Sequence, residues 1–294
     1  MTATEEFPRS GARFFKAHGL GNDYLVFAAG DAWTLDPAST RAVCDRWKGV
    51  GSDGIVFQIP VDGDTRRLRM FNPDGSEFER SGNGLRIYAA FLSSAGAVGT
   101  EPFLVEVGGD TVSMQVYART ADGEYDVSVD MGRVTYGPTA VGLDSRELDS
   151  TGRLHLPSGA VEITTVSVGN PHCVVFREDL SDRALETLGR ALATHAAFDN
   201  GTNVQLAWPV GERQVRMRIW ERGVGHTFAS GTSSCAVAAA AVERGLVPPG
   251  DVELQMEGGT LHVHVSEDRD LTLRGPVREV CEGTLSEGFL ASLE

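Results

Sequence analysis

The chain repeats itself. Phe71 to Gly84 reads F-N-P-D-G-S-E-F-E-R-S-G-N-G, and Trp220 to Ser233 reads W-E-R-G-V-G-H-T-F-A-S-G-T-S. With Ser81 set on Ser230, an offset of 149, Arg67-Leu-Arg-Met-Phe-Asn72 falls on Arg216-Met-Arg-Ile-Trp-Glu221 without a gap. Each copy alternates as a strand, passes a Gly-containing turn, reaches Ser-Gly and enters an Ala-bearing run of helical character. A period this long excludes a solenoid and predicts two copies of one α+β unit, each of roughly 130 to 150 residues. Such a duplication would set two helix N-termini facing each other across one cleft.

The remaining segments fit that plan. Strands are expected at 14–16 and 23–28 around H-G-L-G-N, then a helix over 37–47 and strands at 54–59 and 67–71. A helix runs on from Gly84 and stops at Gly96, and strands follow at 103–107, 111–117 and 125–131. The stretch 132–154 is loop-rich and reads as a crossover between domains. A second set begins near Val161, with a helix over 184–197 and strands at 202–207 and 214–220. An alanine-rich helix over 232–244, closed by Gly245, precedes hairpin strands within 251–273.

Composition narrows the class. A formal charge of −15 over 294 residues argues against coating nucleic acid or an anionic membrane. No apolar run approaches the ~20 residues that span a bilayer, and the acidic start M-T-A-T-E-E lacks a signal-peptide plan. The first ten residues read as a frayed arm. Cys44, Cys173, Cys235 and Cys281 lie far apart, without C-x-x-C spacing or a disulfide framework, so reduced thiols in the cytoplasm are expected. Glycine is in excess, 35 of 294 against a usual ~7%. Much of it sits in short motifs: His18-Gly-Leu-Gly-Asn22, Gly49-Val-Gly-Ser-Asp-Gly54 and Ser81-Gly-Asn-Gly84. Glycine clustered this way marks turns, or backbone that approaches a ligand closely.

The chemistry of the repeated device follows from helix electrostatics. The first turn of a helix leaves N–H groups unpaired and carries partial positive charge, so it receives a carboxylate or phosphate. Two such ends, each headed by a proton-bearing side chain, suit removing a proton from one face of a carbon and returning it to the other. For a single Ser-Gly the plainer reading is an ordinary N-cap. Two at one offset behind matching strands weaken it.

H-G-L-G-N-D, G-V-G-S-D-G, F-N-P-D-G-S-E, S-G-N-G, G-N-P-H, G-T-N-V and W-E-R-G-V-G…S-G-T occur in this order from about residue 14 to 285. Together they resemble diaminopimelate epimerase, a cofactor-independent amino-acid epimerase family. The resemblance implies an α+β fold of two pseudo-symmetric domains, each a mostly antiparallel β-sheet wrapped around a central helix, with the ligand between them. The domains would be 11–132, completed by 276–294 through a final strand near Gly275 to Gly283, and 133–275. It implies a small amino-acid substrate, L,L- to meso-diaminopimelate in the supply of lysine and peptidoglycan precursors, with no cofactor and no metal. It leaves a homodimer open.

Carried onto this chain, the family's two catalytic positions fall on Ser81 and Ser230, with His172 and Glu221 as their neighbours. Its substrate contacts fall on Asn22, Asn72, Asn83, Asn170 and Asn203. Its carboxylate clamps fall on Gly82, Gly231, Thr232 and the Glu221-Arg222 pair. The family uses cysteine where this chain has Ser81 and Ser230. A thiol has a pKa near 8.5 and becomes a thiolate at a helix N-terminus, whereas a serine hydroxyl needs an adjacent base. Cys235, five residues into its helix, points away from Ser230 and is no substitute. His226 aligns with Glu77 and is read as an exposed turn histidine rather than a base for Ser230. His262 and His264 share a strand face but lack a third metal ligand. Three readings of the serines stay open. The chain is an epimerase whose cysteines were exchanged, a divergent isomerase or dehydratase of another small amino or carboxylic acid, or a non-catalytic amino-acid-binding relative. Weak or absent epimerase activity is expected in each.

Overall fold

In a computed structural model that describes residues 12–28, 36–59 and 66–293, the chain divides into two compact units. One comprises residues 1–127 and 277–294, the other 128–276. The first ten residues, read above as an arm, lie outside the described residues.

The first unit contains β1 (Arg13–Gly19), β2 (Asn22–Phe27), α1 (Pro37–Cys44), β3 (Ile55–Ile59), β4 (Arg67–Phe71) and β5 (Glu77–Phe78). It continues with α2 (Gly82–Ser94), β6 (Phe103–Val107), β7 (Asp110–Arg119) and the start of β8 (Glu124–Arg133). β1 pairs antiparallel with β2, β3 with β4, β4 with β5, and β6 with β7, while β2–β3 and β4–β6 run parallel. The central helix is α2, which packs against β1, β2, β3 and β7. Residues 82–90 and Leu92 are all buried, so this helix is enclosed around nearly its whole circumference. The other face of the sheet is covered by α1: Val43 and Cys44 cluster with Leu25, Phe27, Ile55 and Phe71. Coverage on both faces explains why β2 shows a continuous buried run instead of alternation.

The second unit contains the end of β8, then β9 (Thr135–Tyr136), β10 (Arg153–Leu156), β11 (Gly159–Glu162), β12 (Thr164–Ser167) and β13 (Pro171–Phe176). After α3 (Asp182–Ala193) come β14 (Asn203–Gly211), β15 (Gln214–Glu221), β16 (Gly225–Thr227), α4 (Gly231–Glu243), β17 (Gly250–Met256), β18 (Gly259–Val265) and the start of β19 (Asp270–Thr284). Its central helix, α4, packs against β12, β13, β14, β15, β17 and β18 and is buried from Ser233 to Ala241. A second core under α3 joins Leu185, Leu188 and Leu192 to Cys173, Val175, Val204 and Leu206. The stretch 132–154 holds β9 and two short 3-10 turns, and β10 begins at its end.

The repeat is visible in strand register. Ile55 pairs with Phe71 and Val204 with Trp220; Met70 pairs with Phe78 and Ile219 with Thr227. Arg67 pairs with Glu106 and Arg216 with Gln255; Val107 pairs with Asp110 and Met256 with Gly259. All keep the offset of 149. Only the first hairpin slips: Lys16 pairs with Leu25, but Thr165 with Cys173, so the second copy's turn is one residue shorter. The end of the chain, Arg278 to Thr284 of β19, pairs with β1. After it α5 (Glu287–Ala291) brings Phe289 and Leu290 against the Leu25–Phe27 core. The α+β class with a sheet around a central helix in each unit is the architecture the resemblance implies.

Candidate active site

The first unit assembles its candidates at the start of α2. Ser81 is the N-cap, and its Oγ accepts from the Gly84 N–H at 3.1 Å. Gly82 and Asn83 form the first turn and are buried. Asn83 Nδ2 donates to the carbonyl and to the Oδ1 of Asn22, each at 2.8 Å, which ties β2 to the helix start. Asn72 leaves β4 in the N-P-D-G turn, where its Nδ2 donates to Ser76 Oγ at 3.0 Å. The turn needs Gly75, at φ +85°, and a side chain there would strike the Pro37 carbonyl.

The second unit repeats the device with different polar wiring. Ser230 occupies the N-cap of α4 with no side-chain cap bond. Its hydroxyl instead acts on the Glu221 carboxylate at the end of β15. Burial pushes the Glu221 carboxyl above its ordinary range, and the Ser230 hydrogen bond pulls it part of the way back. Gly231 and Thr232 form the first turn. Thus Ser81 serves its own helix, whereas Ser230 faces a carboxylate made more basic by its surroundings.

His172 is completely buried on β13. One ring nitrogen, Nε2, lies 2.9 Å from Asn170 Oδ1 and the other, Nδ1, 3.0 Å from Gln205 Nε2. Burial drives its pKa down to about 3, against the smaller upward pull of Gln205, so the ring is neutral at ordinary pH. Gln205 Nε2 also reaches Ser233 Oγ at 3.0 Å, so the chain Asn170–His172–Gln205–Ser233 ends in the first turn of α4. Asn203 Nδ2 donates to the Pro171 carbonyl at 3.1 Å and its Oδ1 accepts from the Arg222 N–H at 3.0 Å. The Arg222 guanidinium donates to the Asn200 carbonyl at 2.9 Å.

The candidates therefore gather into Ser81–Gly82–Asn83–Asn22 in the first unit, and into Ser230–Glu221, Asn170–His172 and Asn203–Arg222 in the second. Asn72 stands in its own turn. Sequence reading passed over Gln205 and Asp53. Gln205 carries a signal: it is a polar residue within the apolar run Val204-Gln-Leu-Ala207, fully buried, and such a group is retained where it has partners. Asp53 closes the Gly49–Gly54 motif and accepts from Asn22 Nδ2 at 2.9 Å.

His226 stands where the first copy has Glu77. There, Arg69 holds Glu77 through two bonds of 2.8 and 2.6 Å. Here the carboxylate beside Arg218 comes from Glu257, which also lies 2.5 Å from His226 Nε2. Cys235 is fully buried in α4. His264 Nδ1 meets Asp251 Oδ1 at 2.8 Å across the β17–β18 hairpin, and among the described residues no three His, Cys, Asp or Glu side chains gather as a metal site.

The family model for diaminopimelate epimerase matches residues 14–137 and 164–280. A diaminopimelate epimerase of Desulforudis audaxviator is 38% identical over 276 residues, 92% of this chain and 98% of that protein. Diaminopimelate epimerase 2 of a Nostoc species is 35% identical over 283 residues, 95% and 97% of the two chains. Among solved structures, a hydroxyproline epimerase from Agrobacterium vitis with bound trans-4-hydroxy-L-proline shares the fold. It has a TM-score of 0.66 at 15% identity and covers 94% of this chain and 92% of its own. The chain therefore belongs to the diaminopimelate epimerase family of cofactor-independent isomerases.

Proposed function

We propose that the chain is an amino-acid epimerase of the diaminopimelate type, acting slowly because serine fills both base positions. The observation that carries this reading is the pair of serines at equivalent helix starts, Ser81 on α2 and Ser230 on α4, the second acting on the Glu221 carboxylate. The relatives named diaminopimelate epimerase support the substrate, L,L-diaminopimelate, and with it a place in the supply of lysine and peptidoglycan precursors.

The step is a proton transfer at the α-carbon. As the C–H bond breaks, Ser230 Oγ takes the proton and passes its own to Glu221, while the electron pair moves into the substrate carboxylate. The resulting enediolate is stabilised by first-turn N–H groups, whose partial positive charge favours developing negative charge. Ser81, which holds the equivalent helix start, is the second proton-bearing group of the family's two-base pattern, and a proton it gives up is regained from solvent. A hydroxyl is a poor base by itself, and its helix field and Glu221 only partly compensate. The test is deuterium incorporation at the α-carbon of L,L-diaminopimelate in heavy water, followed by NMR. Slow incorporation by the chain, lost in Glu221→Gln, supports the reading. No incorporation and no calorimetric binding would overturn it.

A further inference from the structure

The Gly49–Gly54 motif leads to a residue outside the proposed chemistry. Asp53, in that motif, belongs to a continuous chain of hydrogen bonds within the first unit. Arg46 Nη2 donates to Asp53 Oδ1 at 2.7 Å, and Asn22 Nδ2 donates to Asp53 Oδ2 at 2.9 Å. Asn83 Nδ2 donates to Asn22 Oδ1 at 2.8 Å, and Arg86 Nη2 donates to Asn83 Oδ1 at 3.0 Å. Arg86 itself is 1% exposed, at the fifth position of α2.

The two ends of this chain dictate its direction. A carboxylate only accepts and a guanidinium only donates. Asn22 must therefore turn its nitrogen to Asp53 and its oxygen to Asn83, and Asn83 must turn its oxygen to Arg86. Reversing either amide would press an oxygen against the carboxylate or an N–H against the guanidinium. Asn83 gives its two N–H groups to Asn22, one to the carbonyl and one to Oδ1, so it acts through Asn22. Asn22 Nδ2 carries a second N–H beyond the one given to Asp53, and its Oδ1 is turned to Asn83. What Asn22 has to offer a ligand is a donor. Gly19 leaves room for the arrangement: a Cβ there would lie 1.9 Å from Asn83 Oδ1 and 2.9 Å from Arg86 Nη2.

We propose that Asp53 and Arg86 are positioning residues that lock Asn22, through Asn83, with its amide nitrogen available to a ligand carboxylate. This rests on the reading above that Asn22 meets the amino-acid ligand. It predicts a preference for a carboxylate oxygen over an ammonium at this point, because the lock turns an unused N–H of Asn22 to the ligand while its oxygen is already turned to Asn83. The Gly-rich motif thereby acquires a role in recognition.

The test joins side-chain amide NMR of the ¹⁵N-labelled full chain with calorimetric titration of L,L-diaminopimelate. Asp53→Asn is nearly isosteric and removes the group that can only accept. It is expected to shift the Asn22 and Asn83 amide resonances together and to weaken binding at least tenfold. Arg86→Lys, which keeps a donor cation, should hold binding within about threefold, and Arg86→Met should not. Wild-type binding with unchanged affinity in Asp53→Asn would overturn the proposal, as would an Asn83 resonance that ignores the change at Asp53. A wild-type chain that binds no L,L-diaminopimelate would instead end the underlying reading, and the carboxylate assignment with it. The first failure is seen only in the variants and the second already in the parent.

Discussion

The two serines are the same residue in the same element position, yet their surroundings give them different chemistry. Ser81 Oγ accepts from the Gly84 N–H, a cap worth about 1 kcal/mol to its helix. Ser230 lacks that bond and meets Glu221, whose pKa is raised by burial. A carboxylate with a raised pKa is a stronger base. Ser230→Ala should therefore reduce α-proton exchange at least tenfold with little loss in Tm. Ser81→Ala should show the converse balance, with a clear loss in Tm. Exchange rates and melting curves measured on both variants check this. His172 contributes at the same scale through linkage. Its pKa of about 3 lies below the ordinary 6.5, so the unfolded chain takes up a proton over this interval that the native chain refuses. The stability owed to neutral His172 is complete above about pH 6.5 and is lost as pH falls toward 3. Denaturant titrations at pH 7 and pH 5 should show the parent losing about 2 kcal/mol more than His172→Gln across that interval.

Elements decide which of these residues meet. The β4–β5 and β15–β16 hairpins place Asn72 and Glu221 at one offset, and the parallel pairs β2–β3 and β13–β14 bring Asn22 near Asp53 and His172 near Gln205. The α3 helix tolerates this packing through a single glycine: a Cβ on Gly189 would lie 2.7 Å from the Trp220 side chain, one residue before Glu221. Gly189→Ala is expected to cost about 1–3 kcal/mol by overpacking. It should also lower exchange by shifting the strand end, and urea melts with activity assays will report both. Helix ends were the least legible part of the sequence. The helix begun at Pro37 stops at Cys44 rather than Trp47, because Asp45 turns extended and its side chain accepts from the Trp47 and Lys48 N–H groups. The α3 helix runs over Asp182–Ala193 rather than 184–197, because Ser181 caps its start through the Ala184 N–H and Thr194 ends it.

At the scale of the whole molecule, the duplication was readable because strand register keeps one offset from Ile55 to Met114 and from Val204 to Val263. The candidate residues were readable because they sit in short motifs around turns and helix starts. Their wiring was not, since it joins positions far apart in sequence. Asn83 reaches back to Asn22, and Gln205 joins His172 to Ser233. Nor does sequence alone distinguish a serine that caps from one that faces a carboxylate. The central claim is that this is an amino-acid epimerase site slowed by its serines. It is tested most directly by installing cysteine at both positions, Ser81→Cys with Ser230→Cys, and following conversion of L,L- to meso-diaminopimelate. A rise in rate of at least a hundredfold over the parent is predicted, because a thiol at a helix N-terminus ionises where a hydroxyl does not. A folded double variant that converts no more than the parent would contradict the account.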